Sequence, residues 1–250
     1  MKLLMLCLSL FAVTCLNAAT FEELMAQGDA SYDAYEHEAA LKAYQAAFAL
    51  NPKSCDAAWK ISRAYADIGD DKTDKAERTA NFTKAEEFAR KAIEICPEND
   101  NAHLYLSVAI GRVALMAGKK EQVQLSKTVK EEAEKALQIN PNNDTAHHVY
   151  ARWHRKVATL SGIQKTFAQI LYGGLPPASL EDAEKHFLKA IELKPTHINH
   201  HLELGITYLE MNQKDKAAAA FKQALALTPK NKKDKEYQAE AARQLEALKK

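Results

Sequence analysis

The side chains of this chain that could carry out chemistry include nine histidines and four cysteines. His197, His200 and His201 are spaced so that two imidazoles could share one helical face, as in a metal site. No cysteine or carboxylate beside them completes a ligand shell, because Glu203 falls on another helical face. We therefore expect these rings to pack in a core, and the sequence predicts neither a metal nor a cofactor.

Motifs for enzymatic catalysis are absent from the sequence. It has no glycine-rich phosphate loop, zinc-protease helix, calcium loop or Gly-x-Ser-x-Gly nucleophile elbow. Adjacent carboxylates such as Glu131-Glu132 lie in lysine-rich stretches, which is typical of a solvated helix face. The sequence therefore predicts that the protein is not an enzyme.

The first nineteen residues have the three-part pattern of a secretory signal. Lys2 precedes an apolar run from Leu3 to Leu16, and the small residues of Asn17-Ala18-Ala19 follow. A bilayer span needs about 20 apolar residues, so this run is too short for an ordinary one, although a short anchor is an alternative. The prediction is a signal peptide over residues 1–19, a periplasmic or secreted protein, and no stable membrane span after cleavage.

The elements that must position any site are helices. Only 8 glycines and 7 prolines occur in 250 residues, which argues against a turn-rich β fold. Five amphipathic segments end in the same way, each stopped by a proline that cannot continue a helix. These prolines are Pro52, Pro97, Pro141, Pro195 and Pro229. The sequence therefore predicts an all-α repeat protein.

The repeated unit resembles the tetratricopeptide repeat (TPR), a 34-residue helix–turn–helix. Residues 198–231 match its pattern without a gap, through Leu204, Gly205, Tyr208, Ala217, Phe221, Ala224 and Pro229. The resemblance implies a right-handed solenoid of helical hairpins with about five repeats. Their predicted bounds, within residues 20–231, are 21–54, 55–99, 100–143, 144–197 and 198–231. Residues 232–250 form a charged amphipathic segment, read as the capping helix that a solenoid end requires.

The fourth repeat carries an insertion that sets this chain apart from a plain array. Residues Ile163–Tyr172 are apolar and predict an extra helix, and the double proline Pro176-Pro177 follows. From about the second repeat to Pro229, this arrangement resembles the regulator of microtubule dynamics family. The resemblance implies a microtubule-associated protein with tubulin as a partner, whereas the export signal departs from that setting.

In TPR arrays the first helix of each repeat lines a concave groove. The positions that commonly face it predict a partner-binding set of Trp59, Arg63, Arg112, His148, Arg152, Arg155 and Lys156. This set concentrates positive charge in a chain whose net charge is only +1. It favours a protein or peptide with acidic groups or a free C-terminal carboxylate, and the balanced net charge argues against nucleic acid. The alternative is that these cations merely solvate a helix face.

Cys55 and Cys96 remain in the chain after signal cleavage. Cys55 starts the first helix of repeat two and Cys96 ends the second. Since antiparallel helices bring these two ends together, we hypothesise a disulfide, with two small core residues as the alternative.

The function that the sequence predicts is a non-catalytic protein–protein interaction scaffold that binds its partner in a basic groove. The alternative is a structural or accessory subunit of a cell-envelope assembly that uses its outer face and the insert at residues 160–177. An exposed apolar patch on the insert would favour the alternative. An enzyme hidden in the insert is disfavoured, because no nucleophile–base pair is visible there.

Overall fold

A computed structural model describes residues 19–249, and this part of the chain consists of helices joined by turns. Its twelve helices are α1 (Phe21–Asp33), α2 (His37–Leu50), α3 (Cys55–Asp71), α4 (Lys75–Ile95), α5 (Asp100–Met116), α6 (Lys119–Ile139), α7 (Asp144–Ala158), α8 (Gly162–Tyr172), α9 (Leu180–Leu193), α10 (Ile198–Glu210), α11 (Lys214–Ala226) and α12 (Lys232–Ala247). The prediction of an all-α solenoid is confirmed.

The helices pack as successive hairpins. The pairs α1–α2, α3–α4, α5–α6, α7–α9 and α10–α11 each form one hairpin, and each hairpin packs against the next. Helix α8 is the predicted inserted helix; it follows α7 and precedes α9 in the sequence, and it packs on α6. Helix α12 packs on both α10 and α11, so it covers the end of the last hairpin.

Polar caps fix where most of the helices begin. The side chains of Ser54, Asp74, Asn99, Asn143 and Ser179 each accept a hydrogen bond from the backbone N–H three residues on. Such caps satisfy donors that the first turn of a helix leaves free. They set the registers of α3, α4, α5, α7 and α9, and thereby the direction in which each helix presents its side chains.

Glycine allows the closest approach within three of the hairpins. A Cβ atom on Gly205 would lie 2.4 Å from Cε1 of Phe221, whose ring is fully buried. The same relation holds between Gly28 and Tyr44 and between Gly69 and Phe82. Ser107 takes the equivalent place in repeat three, where its hydroxyl donates to the Val129 carbonyl across the hairpin at 2.8 Å. The ring or the hydroxyl therefore fixes the spacing of the two helices.

Repeat two is closed by a disulfide between Cys55 and Cys96, whose Cα atoms lie 6.0 Å apart. It joins the first residue of α3 to the residue that follows α4. This is the pair that the sequence suggested.

Residues 1–18, which hold most of the predicted signal, lie outside the described residues. Among the helices that the structure does describe, none combines the length and apolar character that a membrane crossing requires.

Candidate functional site

The candidate site is the inner face of the solenoid, by which we mean the side formed by the first helices α1, α3, α5, α7 and α10. Neighbouring members of this set from α3 onward contact one another directly across the repeats. The sequence-predicted site residues lie on three of these helices, namely Trp59 and Arg63 on α3, Arg112 on α5, and the remaining four on α7.

Aromatic rings enclose Arg63 at the start of this face. Its guanidinium carbon lies 3.5 Å from the ring centroid of Tyr32 on α1, and a terminal nitrogen donates to the Tyr44 hydroxyl at 3.3 Å. Trp59 is buried, stacks on Tyr105 with centroids 5.4 Å apart, and donates its indole N–H to Asp56. Trp59 and Arg63 therefore brace α1, α3 and α5 against one another through stacking and cation–π contacts.

Acidic side chains of the first two repeats are matched by partners. Asp29 accepts hydrogen bonds from Lys60 and from the Tyr44 hydroxyl, each at 2.7 Å. Asp67 accepts from the Tyr32 hydroxyl at 2.6 Å. Burial raises the pKa of the Asp67 carboxyl, although the Tyr32 hydrogen bond lowers it. Lys60, which the sequence analysis did not single out, thus neutralises Asp29 locally.

The basic side chains in the middle of the face are also paired. Arg112 donates to Asp70 through Nε at 2.9 Å and lies 2.7 Å from it through a terminal nitrogen. Arg155 pairs with Glu203 of α10, and both side chains are buried, with exposed fractions of 6% and 8%. Carboxylates contributed by α3 and α10 thus pair with these cations, which the repeat positions alone do not indicate.

Arg152 is the exception within this set. Its Nε lies 3.5 Å from Glu203, and 36% of its side chain is exposed. Glu203 is therefore shared by two guanidinium groups, one buried and one open to solvent. Glu210 of α10 is a second carboxylate whose charge acts on Arg155, so Arg152 differs from its neighbour in its longer contact and its exposure.

Helix α12 also contributes to the inner face. Burial raises the pKa of Tyr237 to about 12, although the positive charges of Arg152 and Arg112 lower it. The carboxylates of Asp67 and Asp70 act on the same phenol. Helix α12, which follows the last repeat, thus places Tyr237 within the electrostatic influence of charged groups from α3, α5 and α7. The sequence pattern predicts only a capping role for residues 232–250, so Tyr237 was missed.

The remaining two predicted residues have other surroundings. His148 is buried, and its Nδ1 lies 2.9 Å from Nδ1 of His200. Lys156 is exposed and borders a cavity of about 460 Å³ between α6, α7 and α8. Apolar side chains including Val123, Val157 and Leu175 line this cavity. Lys156 thus borders a second concave surface, which α8 and its turn form beside α7.

The inner face offers charges, aromatic rings and hydroxyls, which are groups suited to binding. Among residues 19–249, no group of three or more histidine, cysteine or carboxylate side chains is arranged to hold a metal ion.

Helical hairpins stacked in this way define a TPR-type solenoid. A thermophilic TPR protein of Thermus thermophilus has a similar solved structure, with a TM-score of 0.66 and 19% identity, covering 89% of this chain and 99% of that one.

The family model described as regulator of microtubule dynamics protein 1-3 matches residues 24–249, and the chain belongs to that family. Regulator of microtubule dynamics protein 1 of Mus musculus is 30% identical over 233 residues, which cover 92% of this chain and 75% of the relative. Protein 2 of Homo sapiens is 28% identical over 192 residues, covering 76% of this chain and 47% of the relative. The chain therefore spans about half the length of that second relative.

Proposed function

We propose that this chain is a non-catalytic scaffold that binds an acidic segment, or a free C-terminal carboxylate, of a partner protein on its inner face. The observation that carries the proposal is the arrangement around Glu203. Arg155 is buried and forms an ion pair with this carboxylate. Arg152 is 36% exposed and has only a 3.5 Å contact to it. An incoming carboxylate can pair with Arg152 without taking Glu203 away from Arg155.

Two neighbouring groups support this docking point. The charges of Arg152 and Arg112 lower the pKa of Tyr237 while those of Asp67 and Asp70 raise it, which supports a phenol in this charged region whose hydroxyl can donate to a carboxylate oxygen. Arg112 is held in place by two contacts to Asp70, so the site is ordered before a ligand arrives. A preorganised cation beside a phenol is suited to recognising a carboxylate.

Fluorescence anisotropy tests this proposal. The probes are fluorescein-labelled peptides that carry internal acidic residues or a terminal carboxylate, each compared with a neutral peptide amide. One charge-assisted hydrogen bond contributes about 1.5–3 kcal/mol, so Arg152→Glu should weaken binding at least about tenfold. Lys222→Glu is the matched control, because Lys222 is exposed on α11, the second helix of its hairpin. Equal binding by Arg152→Glu and the unaltered chain contradicts the proposal.

We also infer that the partner lies outside the cytoplasm. The relatives are named as regulators of microtubule dynamics, whereas the predicted signal over residues 1–19 sends this chain to the periplasm or outside the cell. N-terminal sequencing of the native protein tests the export step, with a mature start just after Ala19 as the expected result. Co-sedimentation of the mature protein with microtubules would instead favour tubulin as the partner.

A second candidate function is that of an accessory subunit in an envelope assembly, docked through α8. The observation that favours it is the exposure of Ile163 and Ile170, at 72% and 73%, on the inserted helix. Exposed apolar side chains at i and i+7 share one face of a helix and mark an interaction surface. Ile163→Ser with Ile170→Ser should abolish co-purification of an assembly partner, whereas Arg152→Glu should leave it unchanged. The opposite pattern would assign the partner to the inner face.

A further inference from the structure

One histidine pair joins the two helices of repeat four, and a second pair joins repeat four to repeat five. Nδ1 of His147 on α7 lies 2.8 Å from Nδ1 of His186 on α9, and Nδ1 of His148 lies 2.9 Å from Nδ1 of His200 on α10. The other nitrogen of His147 lies 2.9 Å from the Pro141 carbonyl, which can only accept a hydrogen bond. Nδ1 of neutral His147 must therefore be the acceptor, so His186 supplies the single proton between the two rings.

The second pair also shares a single proton, and further histidine rings surround it. Nε2 of His200 lies 3.1 Å from an oxygen of Asp144, which leaves Nδ1 of His200 as the acceptor for His148. The ring of His197 stacks on His200 with centroids 4.1 Å apart, and its Nδ1 is buried without a hydrogen-bond partner. His154, which is also buried, stacks on His186 at 6.1 Å.

We propose that these six side chains make repeat four and its junction with repeat five an acid-labile joint, which is closed when the rings are neutral and opens in mild acid. The histidine junction comprises His147, His148, His154, His186, His197 and His200. It holds α7 against α9 and α10, and Arg152, Arg155 and Glu203 lie on α7 and α10. Opening it would therefore also take apart the proposed binding face.

The geometry explains why a second proton in either pair is unfavourable. One proton fits between two nitrogens 2.8 Å apart, whereas two protons would place two N–H donors against each other. Burial lowers the pKa of His148 well below its usual range, and the charge of His200 lowers it further. Burial likewise lowers the pKa of His186 to about 4 and that of His197 to about 3. The folded junction thus excludes protons that the exposed side chains would bind.

Charged groups from every packed element act on the junction. Basic side chains lower the histidine pKa values. They are Lys130 of α6, Arg152 and Arg155 of α7, Lys185 and Lys189 of α9, Lys194 after α9 and His201 of α10. The carboxylates Glu134 of α6, Asp144 of α7, and Asp182 and Glu192 of α9 raise them. Glu203 of α10 is engaged by Arg155. The carboxylates only partly offset burial, since all six histidine pKa values remain lowered.

The pH at which the joint opens separates it from ordinary acid unfolding. A histidine with a lowered folded pKa contributes stability that is complete above its unfolded value of 6.5 and is lost as the pH falls below it. The pKa values of Asp144, Asp182 and Glu134 are also lowered, so their contribution is lost only below the ordinary values of 3.8 and 4.5. Between pH 7.5 and 5.5 the histidines therefore dominate.

Hydrogen exchange of the full chain at pH 7.5 and 5.5, corrected for intrinsic exchange rates, tests the joint. Each histidine that stays neutral in the fold and titrates when exposed raises the opening equilibrium constant about tenfold over this interval. We expect α7, α9 and α10 to lose at least tenfold protection, while α1 to α4 keep theirs. Uniform loss across all repeats, or unchanged protection, would overturn the proposal.

Single substitutions test whether the pH dependence of stability arises from the two histidine pairs. In His186→Gln, the amide can still donate to His147 but does not titrate, and His148→Gln treats the second pair in the same way. Each variant should reduce the pH dependence of urea unfolding by up to about tenfold in the folding equilibrium constant. His201→Gln is the matched control on α10, because His201 belongs to neither pair, is hydrogen-bonded to the Pro195 carbonyl and is less buried. An equal change in His201→Gln would refute the role of the pairs. If either pair variant fails to fold, the exchange map of the unaltered chain decides the question.

Discussion

The pair between Arg155 and Glu203 supports a quantitative prediction about stability. Glu203→Gln keeps the shape of the side chain but removes its charge, which leaves the Arg155 guanidinium buried without its paired carboxylate. Both residues are more than nine-tenths buried, so little solvent can replace the lost partner. Breaking a buried ion pair from one side costs about 3–5 kcal/mol. We expect a loss of about 3 kcal/mol, because Arg152 can move toward water once Glu203 is neutral.

Urea unfolding followed by circular dichroism measures the effect in a double-mutant cycle. Arg155→Met alone should also destabilise the protein, since it leaves the Glu203 carboxylate with only the 3.5 Å contact to Arg152. The double variant Arg155→Met with Glu203→Gln removes both buried charges and should lose less than either single variant. Its coupling energy should exceed about 1 kcal/mol.

Two results would refute this reasoning. If Glu203→Gln lowers the free energy of unfolding by less than about 1 kcal/mol, the pair behaves like an exposed salt bridge. If the double variant loses the sum of the two single losses, the side chains act independently. Either outcome would also remove support for Arg152 as the cation that is open to a ligand on the inner face.

Two further predictions concern packing and covalent closure. Gly205→Ala should destabilise the protein by about 1–2 kcal/mol in urea unfolding, because overpacking against the Phe221 ring exceeds the gain in helix propensity. Gly111→Ala, whose Cβ would meet only an ordinary contact at 3.8 Å, should stabilise it by up to about 1 kcal/mol, and the same sign for both variants would contradict the account. Replacing Cys55 and Cys96 by serine should cost about 3–4 kcal/mol in free energy of unfolding, since the two cysteines are separated by 41 positions in the sequence. An unchanged urea midpoint would show that the bond adds nothing.

The sequence predicts the architecture well, because local patterns determine it. Each hairpin can be recognised from nearby residues alone. A proline marks the end of its second helix, and in the last repeat the glycine and aromatic positions complete the pattern. The inserted helix could also be predicted, because residues Ile163–Tyr172 are apolar and are followed by Gly173. This segment corresponds to α8. Each of these features needs only the residues within one repeat.

The site is less predictable, because its charges are balanced by residues far apart in sequence. Glu203 lies 48 positions from Arg155, and Asp70 lies 42 positions from Arg112. Repeat positions indicate which side chains face inward, but they do not indicate which of them meet across neighbouring repeats. Tyr237 was missed for a related reason, since α12 follows the last recognisable repeat and yet takes the place of a further first helix.

The disulfide has a mechanical consequence. A force applied to the two ends of the chain bypasses residues 55–96, because the bond carries the tension directly from the start of α3 to the end of α4. The separation of 41 positions between the cysteines would otherwise add about 14 nm of extended chain at roughly 3.5 Å per residue. While the bond is intact, repeat two adds almost no length when the solenoid is stretched. Reduction would turn this inextensible link into one that can lengthen like its neighbours.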